Sequence, residues 1–112
     1  MTSKVISNRI NDLKIIFELE SDTDISDIIV KIKYITEFTN SQIANIMGYS
    51  APTRISEFIH EKQIPSNQGI TALYYWVSIN IDFLRACMEA QDMDFVETTL
   101  IEIITPKNPL KN

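Results

Sequence analysis

Apolar residues recur every three or four positions along most of this 112-residue chain. That spacing places them on one face of an α-helix, whereas a half-buried strand would need alternation every two residues. Glycine is also scarce, since only Gly48 and Gly69 occur, and an all-β protein with many tight turns usually needs more. The sequence therefore predicts an all-α fold, a small helical bundle with one core.

The first part of the chain is expected to hold two amphipathic helices. Residues 3–19 carry apolar side chains at helical spacing, and a polar break follows. Asp24 is placed to cap the second helix, and Asp27 falls in its first turn, where a negative charge is favourable. The isoleucine repeat from Ile25 to Phe38 has the spacing and length of a helix, although isoleucine itself also suits a strand.

The stretch from Phe38 to Pro65 is the most informative, because it has the pattern of two short amphipathic helices joined by a glycine-containing turn. The first helix opens at position 39, 40 or 41 and ends at Gly48, which suits a left-handed helix end. The second starts at Pro52, which lacks an N–H and fits a first helical position. This is the layout of a DNA-binding helix-turn-helix.

The last third of the chain is also expected to be helical. Residues 66–81 predict a long helix, residues 83–88 a short one and residues 92–94 a turn. Residues 95–104 are ambiguous, because their β-branched residues favour a strand and their spacing favours a helix, which we prefer. Pro106 and Pro109 then end the ordered part.

The chain is expected to form a single domain, 1–112. Its helix-turn-helix core is residues 24–82. The flanking helices, residues 1–20 and 83–105, are candidate dimerisation elements.

Charge is the main objection to DNA binding. The net charge is −5, with acidic clusters between Glu18 and Asp27 and between Asp82 and Glu102. A nucleic-acid binder normally shows a basic footprint, whereas residues 31–65 carry a surplus of only one positive charge. A DNA-binding face would require the positive residues of this middle segment to gather on one side. They are Lys31, Lys33, Arg54 and Lys62.

The candidate contact residues lie at the starts of the two central helices. At the first, side chains and backbone amides can meet phosphates. At the second, the outward residues would reach base edges or phosphates, and Arg54 could read a guanine. Arg54 has an alternative role as a surface residue paired with Glu57 or Glu61. The predicted DNA-binding residues are Asn40, Ser41, Gln42, Ser50, Thr53, Arg54 and Glu57.

At these residues the chain resembles the Cro/lambda-repressor-like (XRE-type) helix-turn-helix family. The family pattern runs roughly Thr-Gln-x-x-Leu-Ala, then Leu-Gly-Val-Ser, then Ile-Ser-x-x-Glu-x-Gly, then Pro. The matching residues are Thr39-Asn40-Ser41-Gln42-Ile43-Ala44, Met47-Gly48-Tyr49-Ser50, Ile55-Ser56 and Pro65. The resemblance covers about residues 25–82 and implies a five-helix bundle that binds a palindromic double-stranded DNA operator as a homodimer.

The chain departs from the family pattern in three ways. It carries one extra residue between Ser50 and Ile55. Glu61 stands where the family commonly has glycine, so we expect the second helix of the motif to end later. Positive residues near the implied interface are few.

The expected function is a sequence-specific, homodimeric transcription regulator in the cytoplasm. The alternative is the same scaffold used as a protein-interaction module with weak or no DNA binding, such as an antitoxin-like partner or an anti-host factor of a phage or other mobile element. Its acidic surfaces would then dock a basic protein. An enzyme is not expected, because the chain has one histidine, one cysteine and no glycine-rich phosphate loop.

Other features favour structural roles. No catalytic residue, cofactor or metal site is expected, and the lone His60 is interpreted as a solvated helix residue. Cys87 is interpreted as a buried apolar residue, and residues 74–76 (two tyrosines and a tryptophan) as packing residues rather than a base-stacking surface. The chain shows neither a signal-peptide pattern nor an apolar run long enough to span a membrane.

Overall fold

The structure, a computed structural model, describes residues 3–104 and, within them, the side chains of residues 4–93. Across that described range the chain forms six α-helices and no strand, so the fold is an all-α helical bundle. The helices are α1 (Ser3–Ile16), α2 (Ile25–Thr36), α3 (Asn40–Met47), α4 (Thr53–Ile59), α5 (Asn67–Ile79) and α6 (Ile81–Ile104).

The two helices that begin after polar breaks, α2 and α3, share one capping device. At α2 the Asp24 carboxylate accepts from the Asp27 amide at 3.2 Å, and the Asp27 carboxylate accepts from the Asp24 amide at 2.9 Å. Thr39 and Gln42 repeat this reciprocal arrangement at α3. Such a box satisfies two amides that a helix start otherwise leaves free. The predicted cap at Asp24 is confirmed, as is the left-handed end at Gly48, with φ of 83°.

One core joins all six helices. The isoleucine face of α2 lies at its centre, with Ile28, Ile29 and Ile32 fully buried. Helix α2 packs against α1, α4 and α6, while α5 packs against α1, α3 and α6. The expected apolar faces are largely confirmed, because Leu13, Leu73 and others at the predicted spacing are buried. No helix within residues 3–104 is long and apolar enough to cross a membrane.

The ends of α1 and α4 differ from the predicted boundaries. Helix α1 stops at Ile16, and Glu18 adopts a left-handed conformation with φ of 57°, so the predicted continuation to residue 19 is wrong. Pro52 is not the first residue of α4. It precedes the helix as its cap residue, with φ of −67°.

The predicted turn at residues 92–94 is wrong. Helix α6 runs without interruption from Ile81 to Ile104, and residues 95–104 are therefore helix, the preferred of the two alternatives. Acidic residues in this segment suggested a turn. However, neither glycine nor proline occurs between Ile81 and Ile104, so every residue can donate to the helix ladder. Pro106 and Pro109 lie outside the described residues.

Candidate nucleic-acid interface

Residues 48–52 connect α3 to α4 in a tightly hydrogen-bonded path. The Tyr49 amide donates to the Ala44 carbonyl at 2.8 Å, which closes the end of α3 around the left-handed Gly48. Helix α4 opens with short-range bonds, from the Arg54 amide to the Ala51 carbonyl at 3.2 Å and from the Ile55 amide to the Pro52 carbonyl at 3.0 Å. The first turn of α4 is therefore tight.

Tyr49 ties this connection to the rest of the bundle. Its hydroxyl oxygen accepts from the Ser66 amide at 3.0 Å and lies 3.1 Å from the Ser66 hydroxyl, at the cap of α5. Its ring centroid lies 5.3 Å from that of Phe58 on α4. One side chain in the connection therefore contacts both α4 and the start of α5, which fixes the orientation of α4 relative to α3.

The far end of α4 is fastened to α2. The buried Ser26 hydroxyl donates to the Ile59 carbonyl at 3.2 Å, which satisfies an acceptor that a helix end leaves free. Glu61 then adopts a left-handed conformation with φ of 58°, and the Lys62 amide donates to the Glu57 carbonyl at 2.9 Å. The expectation that the missing glycine would lengthen α4 is wrong, because Glu61 itself takes the conformation that glycine favours. Lys62 follows the end of the helix and is exposed.

The start of α3 combines a positive charge with free backbone amides. The Lys33 ammonium on α2 donates to the Asn40 side-chain oxygen. Gln42 accepts from the Thr39 amide at 2.8 Å through its side-chain oxygen, which leaves its NH₂ group able to donate outward. The amides of Asn40 and Ser41 precede the first intrahelical bond and make no hydrogen bond within the described part of the chain. This arrangement suits an anion.

The outer face of α4 is less clearly prepared for DNA. Ser50 and Thr53 are exposed, as predicted for contact residues. Arg54 and Glu57 are only partly exposed, and the Arg54 Nε lies 3.5 Å from a Glu57 carboxylate oxygen. The guanidinium also lies over two rings, 5.0 Å from the Tyr49 centroid and 5.7 Å from that of Phe58. The alternative role of Arg54, pairing with Glu57, is thus the observed conformation.

This pairing leaves the Arg54 side chain incompletely satisfied. Its Nε is buried and makes no hydrogen bond within the described residues, because the 3.5 Å approach to Glu57 is an ion pair without hydrogen-bond geometry. A partly exposed pair of this kind contributes little to stability. The ion pair with Glu57 therefore holds Arg54 only weakly, and the contacts with Tyr49 and Phe58 also position its guanidinium.

The four middle cations do not all share one face. Lys31 lines a groove between α2, α6 and the turn after α1, together with two acidic residues, Glu18 and Asp92, and with Tyr34 and Met88. Lys33, two residues further along α2, instead contacts the start of α3. The available positive charge near α3 and α4 therefore comes from Lys33, Arg54 and Lys62.

Two residues that organise the site, Ser26 and Tyr49, have roles that the sequence did not predict. Tyr49 belongs to the pattern that resembles the helix-turn-helix family, yet its position gives no sign that its hydroxyl reaches Ser66, 17 residues away. Ser26 sits among isoleucines on α2, and a polar residue inside an apolar run was the available signal. A buried hydroxyl needs a partner, which here is the end of α4.

The remaining candidate residues have structural surroundings. The exposed His60 places Nδ1 2.8 Å from the Ser56 carbonyl. Cys87 is partly buried against the core. Tyr74 donates to Asp12 at 3.2 Å, and partial burial together with this bond raises the pKa of the Tyr74 hydroxyl. Among the described residues, no group of three or more histidine, cysteine or acidic side chains is arranged to hold a metal ion.

Comparison with known proteins gives no further guidance. The sequence matches no protein-family model, and neither a curated protein nor a solved structure is significantly similar to it.

Proposed function

We propose that the protein is a sequence-specific DNA-binding transcription regulator of the helix-turn-helix type, homodimeric and cytoplasmic. In this proposal α3 braces against the DNA backbone and α4 enters the major groove. The observation that carries it is the start of α3, where Lys33 bonds to the Asn40 side chain and the amides of Asn40 and Ser41 are free. This arrangement supports a phosphate contact, which the resemblance to lambda-repressor-like proteins calls for at this position.

Helix α4 supplies the readout in this proposal. Ser50 and Thr53 are exposed at its start, and Arg54 leaves its weak pair with Glu57 when a phosphate or a guanine edge approaches. When Arg54 changes partner, the Tyr49 contacts with Phe58 and Ser66 keep α4 in a fixed orientation. A fixed orientation lowers the entropic cost of binding, because the helix need not be ordered by the DNA.

The second candidate function is a protein-interaction module built on the same scaffold, with weak or no DNA binding. Two observations favour it. Arg54 is engaged by Glu57 and two aromatic rings, and Lys31 lines a groove that also contains the acidic residues Glu18 and Asp92. The acidic surface would then dock a basic protein, as an antitoxin-like partner or anti-host factor does.

Selection from random duplexes distinguishes the two functions. Purified protein is used to enrich DNA, and the affinity for the enriched and the starting duplexes is measured over a salt series. The regulator predicts a sequence-selective complex, with log K falling against log salt by about 0.9 per neutralised phosphate. Lys33, Arg54 and Lys62 then limit the slope to about −3 per protomer and about −5 per dimer. Failure to enrich any sequence at low salt would favour the interaction module.

A further inference from the structure

The groove between α2, α6 and the turn after α1, called the α2–α6 groove below, combines an apolar floor with a polar rim. Its floor is formed by Ile35, which is buried, and by Met88, which packs against the core. Its volume is about 230 Å³, below the roughly 300–1,000 Å³ that is usual for drug-sized ligands. A ligand of this groove would therefore be a small molecule. The rim consists of Glu18, Lys31, Tyr34, Gln91 and Asp92.

The polar groups of the rim do not satisfy one another. Within the described part of the chain, Lys31 makes no ion pair with Glu18 or Asp92, although all three line the same groove. The Tyr34 hydroxyl and the side-chain amide of Gln91 likewise make no hydrogen bond to a described residue. The α2–α6 groove therefore presents one positive and two negative groups, together with neutral donors, to the same ligand.

This combination of charges disfavours a ligand that carries a single charge. An anion such as phosphate would face the carboxylates of Glu18 and Asp92, and a simple cation would face the Lys31 ammonium. A metal ion is also disfavoured, because no three histidine, cysteine or acidic side chains among the described residues are grouped to hold one. A molecule with one ammonium and one carboxylate group can pair with both signs of charge at once.

We propose that the α2–α6 groove binds a small apolar α-amino acid in its zwitterionic form. Glu18 and Asp92 accept hydrogen bonds from the ammonium group of the ligand, and Lys31 donates to its carboxylate. The apolar side chain of the ligand lies on Ile35 and Met88. The flexible thioether of Met88 adapts to side chains of different shapes. This inference goes beyond the proposed function and does not depend on DNA binding.

The fold holds the walls of the α2–α6 groove in place. Glu18 lies in the turn after α1, and its amide donates to the Ile15 carbonyl at 3.1 Å. The Leu19 amide closes the same turn by donating to the Lys14 carbonyl at 2.8 Å. Lys31 lies on α2, which packs against α1, α4 and α6. Since the backbone on both sides is already ordered, binding has to order only the side chains of the rim, which lowers its entropic cost.

The expected affinity is modest because the rim is open to solvent. Tyr34 is 65% exposed, and Glu18 and Asp92 are exposed as well. Ion pairs between exposed groups contribute little, so we expect a dissociation constant of roughly 1 mM. Such an affinity suits an abundant metabolite better than a scarce one.

An NMR titration of the ¹⁵N-labelled full chain with L-leucine tests the proposal. The expected result is a saturable shift of the amides of Glu18, Lys31 and Asp92, with one dissociation constant for all three. A titration that shifts none of these amides, at concentrations well above the expected dissociation constant, would overturn the proposal.

Three analogues of the probe test the chemistry of the site. N-acetyl-L-leucine lacks the positive charge, as the C-terminus of a peptide does, and L-leucinamide lacks the negative charge, as the N-terminus of a peptide does. Each should bind about tenfold more weakly than L-leucine, because one charge of the groove is then left without a partner. Glycine keeps both charges but lacks the side chain, and it should also bind about tenfold more weakly. Equal binding of any of the three would overturn the corresponding part of the assignment.

Substitutions locate the site on the protein. Lys31→Met removes the ammonium but keeps most of the apolar stem, and it should weaken L-leucine binding by about tenfold. Lys4→Met makes the same change of charge at an exposed position near the start of α1, and it should bind as the wild type does. Asp92→Asn should weaken binding as well. The amide spectrum of each variant shows whether it is folded, and undiminished affinity in a folded Lys31→Met protein would overturn the proposal.

These results can be separated from those on DNA binding. The α2–α6 groove shares no residue with the start of α3 or with α4. Failure to bind L-leucine would therefore leave selective DNA binding intact. Saturable binding of L-leucine by a protein that selects no DNA would support the groove and not the proposed regulator.

Discussion

The hydroxyl oxygen of Tyr49 lies 2.5 Å from the point where a Cβ on Gly69 would stand. Gly69 is needed here for close approach, since any larger residue would press against the tyrosine. Tyr49 is not free to retreat, because its ring packs against Phe58 and its hydroxyl is bonded to Ser66. The contact thus fixes the connection between α3 and α4 against the first turn of α5.

Gly69→Ala should destabilise the protein by about 1–2 kcal/mol, since overpacking a filled site outweighs the helix propensity gained on replacing glycine. Urea unfolding followed by circular dichroism measures this. In a Tyr49→Ala background the same substitution should become neutral or stabilising, because the obstructing ring is gone. An equal loss of stability in both backgrounds would contradict the role given to this contact.

Glu61→Gly should stabilise the protein by about 0.5–1 kcal/mol, because Glu61 has a φ of 58° and glycine reaches this conformation without the steric cost of a Cβ. Thermal unfolding provides the measurement. Glu61→Ala is the matched control, since it removes the same charge but keeps a Cβ. If alanine stabilised as much as glycine, the effect would come from charge at the helix end and not from the backbone.

Ser26→Ala should cost about 0.5–1.5 kcal/mol, because the Ile59 carbonyl loses its partner at the end of α4. Ser7→Ala, at an exposed position on α1, serves as the control and should be close to neutral. Hydrogen exchange adds a local readout, with faster exchange expected in α4. Unchanged stability and unchanged exchange would show that the bond does not fasten α4 to α2.

Alkaline pH should reveal the bond between Tyr74 and Asp12. The pKa of Tyr74 lies above its ordinary value of 10.0 in the folded chain, owing to partial burial and this hydrogen bond. The resulting stabilisation of the fold is fully present below the pKa that Tyr74 has in the unfolded chain. It is lost as the pH rises through the pKa of Tyr74 in the folded chain. Tyr74→Phe should therefore show a shallower fall in stability above about pH 10. Identical slopes in the two proteins would refute this assignment.

Glu57→Gln should increase affinity for a selected duplex, because it removes the carboxylate that competes for Arg54. Arg54→Ala should cost about 1–3 kcal/mol and relax specificity at one position if Arg54 reads a base. Glu61→Gln removes the same charge just after the end of α4. Within the described part of the chain Glu61 makes no ion pair with Arg54, so its gain should be smaller. Fluorescence anisotropy measures the DNA affinity of all three variants. Equal gains in affinity for Glu57→Gln and Glu61→Gln would exclude a specific role for the ion pair between Arg54 and Glu57.

The helices could be predicted because each boundary is set by nearby residues. Asp24 and Gly48 carry local signals for a cap and a left-handed end, and both are confirmed. The predicted helix ends were wrong where a residue other than glycine adopts the left-handed conformation that ends a helix. Glu18 and Glu61 take left-handed conformations, so α1 ends earlier than its apolar spacing indicated and α4 ends earlier than the missing glycine indicated.

The site could be predicted only in outline. The resemblance gave the order of α3, the turn and α4. However, the contacts that position these helices join residues far apart in sequence, such as Ser26 with Ile59 and Tyr49 with Ser66. The positions of the positive charges could not be predicted from the sequence either. Lys31 and Lys33 lie close in sequence but have different surroundings in the fold.

The most direct test of the central claim is an NMR titration of the ¹⁵N-labelled protein with a short DNA duplex at low salt. The proposed regulator predicts that the largest amide shifts occur at Asn40, Ser41 and Thr53, where free amides and exposed polar residues meet the phosphates. They should diminish as salt is added, because phosphate contacts release counterions. Saturating duplex that leaves these amides unshifted, or shifts only residues of α6, would contradict the account.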